Sequence, residues 1–154
     1  MVESSTALRS ARVLLVEDNL IDQRATERAL CGGLIQCELH ITRDGEEALD
    51  YLYHRGEFED LETSPRPDLI LLDLNMPRIG GREVLQTIKQ DEDLAMIPVI
   101  VLTTSDHEVD VVKSYELGCS SYIPKPVEIA EFIDALQQLG QYWFRLVLLP
   151  PQNR

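Results

Sequence analysis

Short apolar runs alternate along this chain with stretches in which apolar residues return at helical spacing. The first run, residues 13–16, ends on Glu17, Asp18 and Asn19, and an Asn at that place is suited to cap a following helix. In that helix Ile21, Ala25, Ala29 and Leu30 recur among charged neighbours, and Gly32 and Gly33 close it. Cys37, Leu39 and Ile41 then alternate with Glu38, His40 and Thr42, a period of two that predicts a second strand. Asp44 and Gly45 break it, and Ala48, Leu49 and Leu52 give the stripe of a second helix reaching about Tyr53. Residues 54–67 are polar and acidic, with Gly56, Pro65 and Pro67. A loop this long is unusual in a compact domain. Its residues offer exposed charge and no other chemistry, so it reads as a surface insertion and not a catalytic lid.

Four apolar residues, 69–72, run directly into Asp73, and Asn75, Met76 and Pro77 stop regular structure there. Such a run reads as a strand buried on both faces. Val84, Leu85 and Ile88 mark a third helix, Pro98 admits a fourth buried strand, 99–102, and this runs into Thr103, Thr104 and Ser105. A fourth helix carrying Val109, Val112, Tyr115 and Leu117 stops at Gly118, and 121–124 is a short fifth strand ending at Lys125 and Pro126. From Val127 a last helix carries Ile129, Phe132, Ile133, Leu136 and Leu139. Five strands alternating with five helices predict an α/β domain, a doubly wound five-stranded parallel sheet. The expected organisation is a frayed segment 1–10, one domain over 11–140, and a C-terminal extension of the last helix with its tail, 141–154. No internal repeat is visible.

Composition narrows the function. With 154 residues and 44% hydrophobic content the chain can bury one real core. Its 27 acidic against 14 basic residues, a net charge of -13, repel phosphate backbones and anionic lipid surfaces, so neither nucleic acid nor membrane is an expected partner. Cys31, Cys37 and Cys119 form no CxxC pair and read as inert thiols in a reducing cytoplasm. Residues 1–10 lack a signal-peptide core, and nothing approaches the ~20 apolar residues of a membrane span. A cytoplasmic protein is expected.

The C-terminal ends of parallel strands share one edge, so Glu17, Asp18, Asp73, Thr103 and Lys125 are expected to converge there. Three carboxylates in one place repel one another and raise their own pKa values unless a cation intervenes. Mg2+ suits such a site, with few protein ligands and several waters. An acidic pair favouring a helix dipole would account for Glu17 and Asp18 alone, but not for their company. A carboxylate beside a cation and a lysine can attack phosphorus and form an acyl phosphate, and the Thr103 hydroxyl could bond a phosphoryl oxygen. Lys125, between Pro124 and Pro126, is held by a rigid loop.

VEDN at 16–19, LLDLNMP at 71–77, LTT at 102–104 and YIPKP at 122–126, in this order, resemble a response-regulator receiver domain of two-component signalling over about residues 12–139. The resemblance implies the flavodoxin-like (βα)5 receiver fold, Asp73 as phosphoacceptor, Glu17 and Asp18 as the acidic Mg2+ pair, and Asn75 as a metal ligand through its backbone carbonyl. It also implies Thr103 as the switch hydroxyl, Lys125 as the phosphoryl-contacting lysine and Tyr122 as the switch aromatic, although Tyr122 by itself is an ordinary core aromatic. Glu17, longer than Asp by a methylene, is expected to reach the ion through water. The loop ending in PRPDLILLDLNMPRIGG, the IKQDEDL segment and the aromatic tail resemble the small regulators of cyanobacterial phytochrome histidine kinases.

The expectation is a single-domain response regulator, not an enzyme with an external substrate. It takes its phosphoryl group from a phytochrome-like kinase, loses it slowly by its own hydrolysis, and signals through a downstream protein. Trp143, Phe144, Leu146 and Val147 exceed what one helix needs for anchorage and predict a homodimer interface. A phosphatase forming an aspartyl phosphate would want an acid at position 75, which is Asn. A nucleotide-binding enzyme would want a Gly-rich loop after the first strand, which is absent.

Overall fold

The computed structural model describes residues 10–31, 37–74, 76, 79–103, 115–126 and 128–142. Its strands are β1 (Ala11–Val16), β2 (Cys37–Thr42), β3 (Leu69–Leu72), β4 (Val99–Thr103) and β5 (Ser121–Pro124). They form one parallel sheet in the order β2-β1-β3-β4-β5. Helices α1 (Leu20–Cys31), α2 (Gly45–Leu52), α3 (Gly81–Gln90) and a C-terminal helix (Ile129–Gln141) connect and cover the strands. Of the expected fourth helix, residues 104–114 lie outside the described residues, as do Gly32, Gly33, Asn75, Pro77 and the aromatic tail with Trp143, Phe144, Leu146 and Val147. Gly118, its expected stop, has φ 103, a conformation that favours glycine.

The continuous apolar runs follow from a sheet covered on both sides. Successive residues of a strand point to opposite faces. Val13, Leu15, Leu69, Leu71, Ile100 and Leu102 accordingly pack with Ala25, Ala29 and Leu30 of α1 and Phe132 and Leu136 of the C-terminal helix. Their neighbours Leu14, Val16, Ile70, Leu72, Val99 and Val101 pack on the other face with Ala48 and Leu52 of α2 and Val84, Leu85 and Ile88 of α3. β3, flanked by β1 and β4, is fully buried, whereas β2 at the edge is mostly half-buried, which is why only β2 shows a polar alternation.

The 54–67 loop is more ordered than a plain surface insertion. A short 3-10 turn, Gly56–Phe58, follows α2, the Tyr51 hydroxyl donates to the Pro65 carbonyl at 2.8 Å, and Arg66 pairs with Asp93 at 2.9 Å. Ser64 is buried, and the loop delivers Pro67 and Asp68 to the start of β3, the end opposite Asp73. It therefore closes the far edge of the sheet and does not cover Asp73.

Candidate functional site

Register brings the acids together. β1 and β3 pair with Val16 beside Leu72, so the next residues, Glu17 and Asp73, leave the sheet side by side. The ladder runs one step further, with the Glu17 amide donating to the Thr42 carbonyl and the Asp73 amide to the Val16 carbonyl, both at 3.0 Å. Across the sheet, Thr103 pairs with Pro124, which sets Lys125 just past the same edge. Asn19 caps α1 as expected, its Oδ1 accepting from the Asp22 amide at 3.0 Å. Gln23 of the same turn donates from Nε2 to the Glu17 carbonyl at 2.7 Å, fixing the bend between β1 and α1.

Lys125 is the centre of this arrangement. Its side chain is 6% exposed, and Nζ donates to Glu17 Oε1 at 2.6 Å, to Asp22 Oδ2 at 2.8 Å and to Asp73 Oδ2 at 3.5 Å. The ammonium also lies 5.9 Å from the Phe132 ring centroid, within cation–π reach. Burial works against its charge, but the hydrogen bonds to Asp22 and Glu17 and the charge of Asp73 prevail and push its pKa up to about 12. Glu17, 1% exposed, goes up to about 7: burial raises it most, the Lys125 hydrogen bond opposes, and the charge of Asp73 raises it further. The lysine keeps its proton, and one ammonium does not compensate all the carboxylates around it.

That surplus is what a hard divalent cation would meet. Carboxylate oxygens of Glu17, Asp18 and Asp73 lie within 4.8 Å of one another. Two of these acids are buried and Asp18 is exposed, so the cluster has a solvent side where coordinated water fits. The all-oxygen donor set suits a hard ion and not a soft one.

The loop behind Asp73 is folded close against it. A Cβ at Gly81 would stand 2.4 Å from the Asp73 carbonyl oxygen and 2.6 Å from Leu74 Cα. Only glycine fits without movement there, and α3 starts directly beneath the acid. Tyr122 is partly buried and packs on the core cluster that contains Val101, its register partner. Thr103 ends β4 at the shared edge.

The structure thus brings Glu17, Asp18, Asp73 and Lys125 to one place, with the backbone of Thr103 at the same edge. Asn75 and the side chain of Thr103 lie outside the described residues. Asp22 is a member of the site that the motifs do not reveal. The signal for it is positional: an acid in the first turn of the helix that follows an acidic strand end.

Comparison with known proteins agrees. The model of the response regulator receiver domain matches residues 13–137. The chain belongs to this family. As a receiver it is 46% identical over 138 residues to the response regulator Rcp1 of Synechocystis sp., covering 90% of this chain and 92% of the relative. The Mn2+-bound form of Rcp1 superposes with a TM-score of 0.85 at 45% identity, over 92% of this receiver and 99% of that chain. The phosphorylated cyanobacterial phytochrome response regulator RcpA superposes with a TM-score of 0.87 at 40% identity, over 93% and 100%. The receiver is therefore closely related to the cyanobacterial phytochrome response regulators, a family that works with histidine kinases. Among its described residues no helix is long and apolar enough to cross a membrane.

Proposed function

We propose that Asp73 is the phosphoacceptor of a response regulator served by a phytochrome-like histidine kinase in the cytoplasm. The observation that carries this reading is the contact of Lys125 with Asp73 inside the carboxylate cluster Glu17, Asp18 and Asp73. An Asp73 carboxylate oxygen attacks phosphorus, the P–N bond to the kinase imidazole breaks, and an acyl phosphate forms. Asp18, Asp73 and the Asn75 carbonyl, with Glu17 through water, would hold Mg2+, which would supply charge neutralisation on the phosphoryl oxygens. Lys125, charged throughout, moves part of its hydrogen bonding from Glu17 and Asp22 to a phosphoryl oxygen. Exposed Leu20 and Ile21, directly after the acidic loop, offer an apolar rim for the donor.

The phosphoryl group brings roughly -1.5 to -2 of charge. Thr103 turns toward it, and Tyr122 moves inward on the core it already touches, changing the surface read by a downstream protein. Slow hydrolysis at Asp73 resets the switch. The tail residues Trp143, Phe144, Leu146 and Val147 serve a homodimer, and sedimentation of the full chain beside one truncated after Leu139 tests it: equal masses would remove the tail from the interface.

The deciding experiment uses acetyl phosphate with Mg2+. The natural chain should acquire an acid-stable, base-labile phosphoryl group, and Asp73→Asn should acquire none while keeping its circular dichroism. Labelling of the Asn variant would overturn the assignment.

A further inference from the structure

The 54–67 loop does more than close the far edge of the sheet: it roofs a cavity of about 220 Å3. Leu52 and Leu94, 6% and 4% exposed, line it together with Pro67, and Leu61, 46% exposed, stands at its mouth. The polar side chains of the wall are bonded to the loop and to the segment across from it. His54 Nε2 donates to the Ser64 carbonyl at 3.0 Å, and the Tyr51 hydroxyl donates to the Pro65 carbonyl at 2.8 Å. Arg66 donates to the Asp93 carboxylate at 2.9 Å and to the Asp93 carbonyl at 2.7 Å. These links tie the end of α2, the loop and Asp93 together, so the walls are set before anything enters.

The volume and the lining decide what fits. The cavity is smaller than the ~300–1,000 Å3 of sites for drug-sized molecules, and it has room for one large side chain. Water in an apolar space of this kind finds few partners, so an apolar group that displaces it gains affinity. The charge at the mouth is one-sided. Leu61 lies between Asp60 and Glu62, and these two, Glu57, Glu59, Glu92 and Asp93 are all exposed. The arginines of the two segments are engaged, Arg55 with Asp50 at 3.3 Å and Arg66 with Asp93. We propose that this cavity docks a basic segment of a partner protein, which seats one apolar side chain of leucine or phenylalanine size against Leu61, Pro67 and Leu94. Lysines or arginines on either side of that anchor meet Asp60, Glu62 and the acids beside them, and an acidic partner is repelled by the same rim. Pro67 leads into β3 at the end opposite Asp73, so a partner docked here leaves Asp73 uncovered.

Titration of the unphosphorylated, nitrogen-15-labelled full chain with three synthetic peptides, followed by amide NMR shifts, tests this. Acetyl-KKGFGKK carries charge and anchor, acetyl-KKGGGKK the charge alone, and acetyl-EEGFGEE the anchor with reversed charge. The first should shift the amides of Leu61, Arg66 and Leu94 and bind about tenfold more tightly than the second, the worth of burying one apolar side chain. The third should not bind. Leu61→Gln should remove most of the difference between the first two peptides while circular dichroism stays unchanged. Equal binding with and without the anchor, or shifts scattered over the acidic surface and absent from these amides, would overturn the proposal. A peptide of residues 143–154, which carries Arg145 and Arg154 and no acid, represents the rival occupant. If it displaces the anchored peptide from the cavity, the chain's own tail belongs there and the proposal falls. No phosphoryl transfer enters the titration, so its failure leaves the assignment of Asp73 untouched.

Discussion

Asp68 and Asp73 stand at the two ends of one strand, β3, buried to nearly the same extent at 3% and 5% exposure. Their surroundings differ. Asp68 accepts from the Arg12 amide at 2.8 Å and donates its own amide to the Arg12 carbonyl at 2.7 Å. Its carboxylate stitches the start of β3 to β1. Asp73 faces the Lys125 ammonium, with oxygens of Glu17 and Asp18 within 4.8 Å, where like charges accumulate. A buried carboxylate bonded to backbone is a structural fastener, and one crowded against others around a single cation is poised for charge to arrive. Burial alone does not separate the two, but the company does.

The sharpest way to break this contrast is to remove the shared cation. Lys125→Met should destabilise the metal-free protein by about 3–5 kcal/mol, because the buried carboxylates lose their counter-charge. Urea unfolding measures the loss, and added divalent ion should recover part of it. At the other end, Asp68→Ala should cost about 1–3 kcal/mol by orphaning the Arg12 amide, while phosphoryl uptake from acetyl phosphate by the folded fraction stays unchanged. Loss of uptake there would end the distinction between the two acids. Gly81→Ala should cost a similar ~1–3 kcal/mol of strain. It should also slow uptake, since the Asp73 backbone has to move to admit the methyl. The smallest effect belongs to Asp22→Asn, under about 1 kcal/mol for a partly exposed partner. It should leave phosphorylation possible and change only its rate, as read by the time course of labelling.

Much of this fold and site is legible in the sequence. β1, β3 and β4 announce themselves because a strand covered on both faces carries apolar residues without interruption. The edge strand β2 shows alternation because the sheet has no further neighbour on that side. Glu17, Asp73 and Lys125 were readable because parallel strand ends share an edge. Asp22 was not, since an acid in a first helical turn ordinarily serves the helix dipole, and only the reach of Lys125 across the sheet recruits it. The 54–67 loop looked like loose charge because its anchors, Tyr51 and Asp93, belong to segments before and after it.

The triple bonding of Lys125 has one more consequence. The ammonium is tethered to the fold and held at once by Glu17, Asp22 and Asp73, so the site carries part of its own counter-charge. A divalent ion bound by the same acids would share them with a counter-charge present at fixed and very high local concentration.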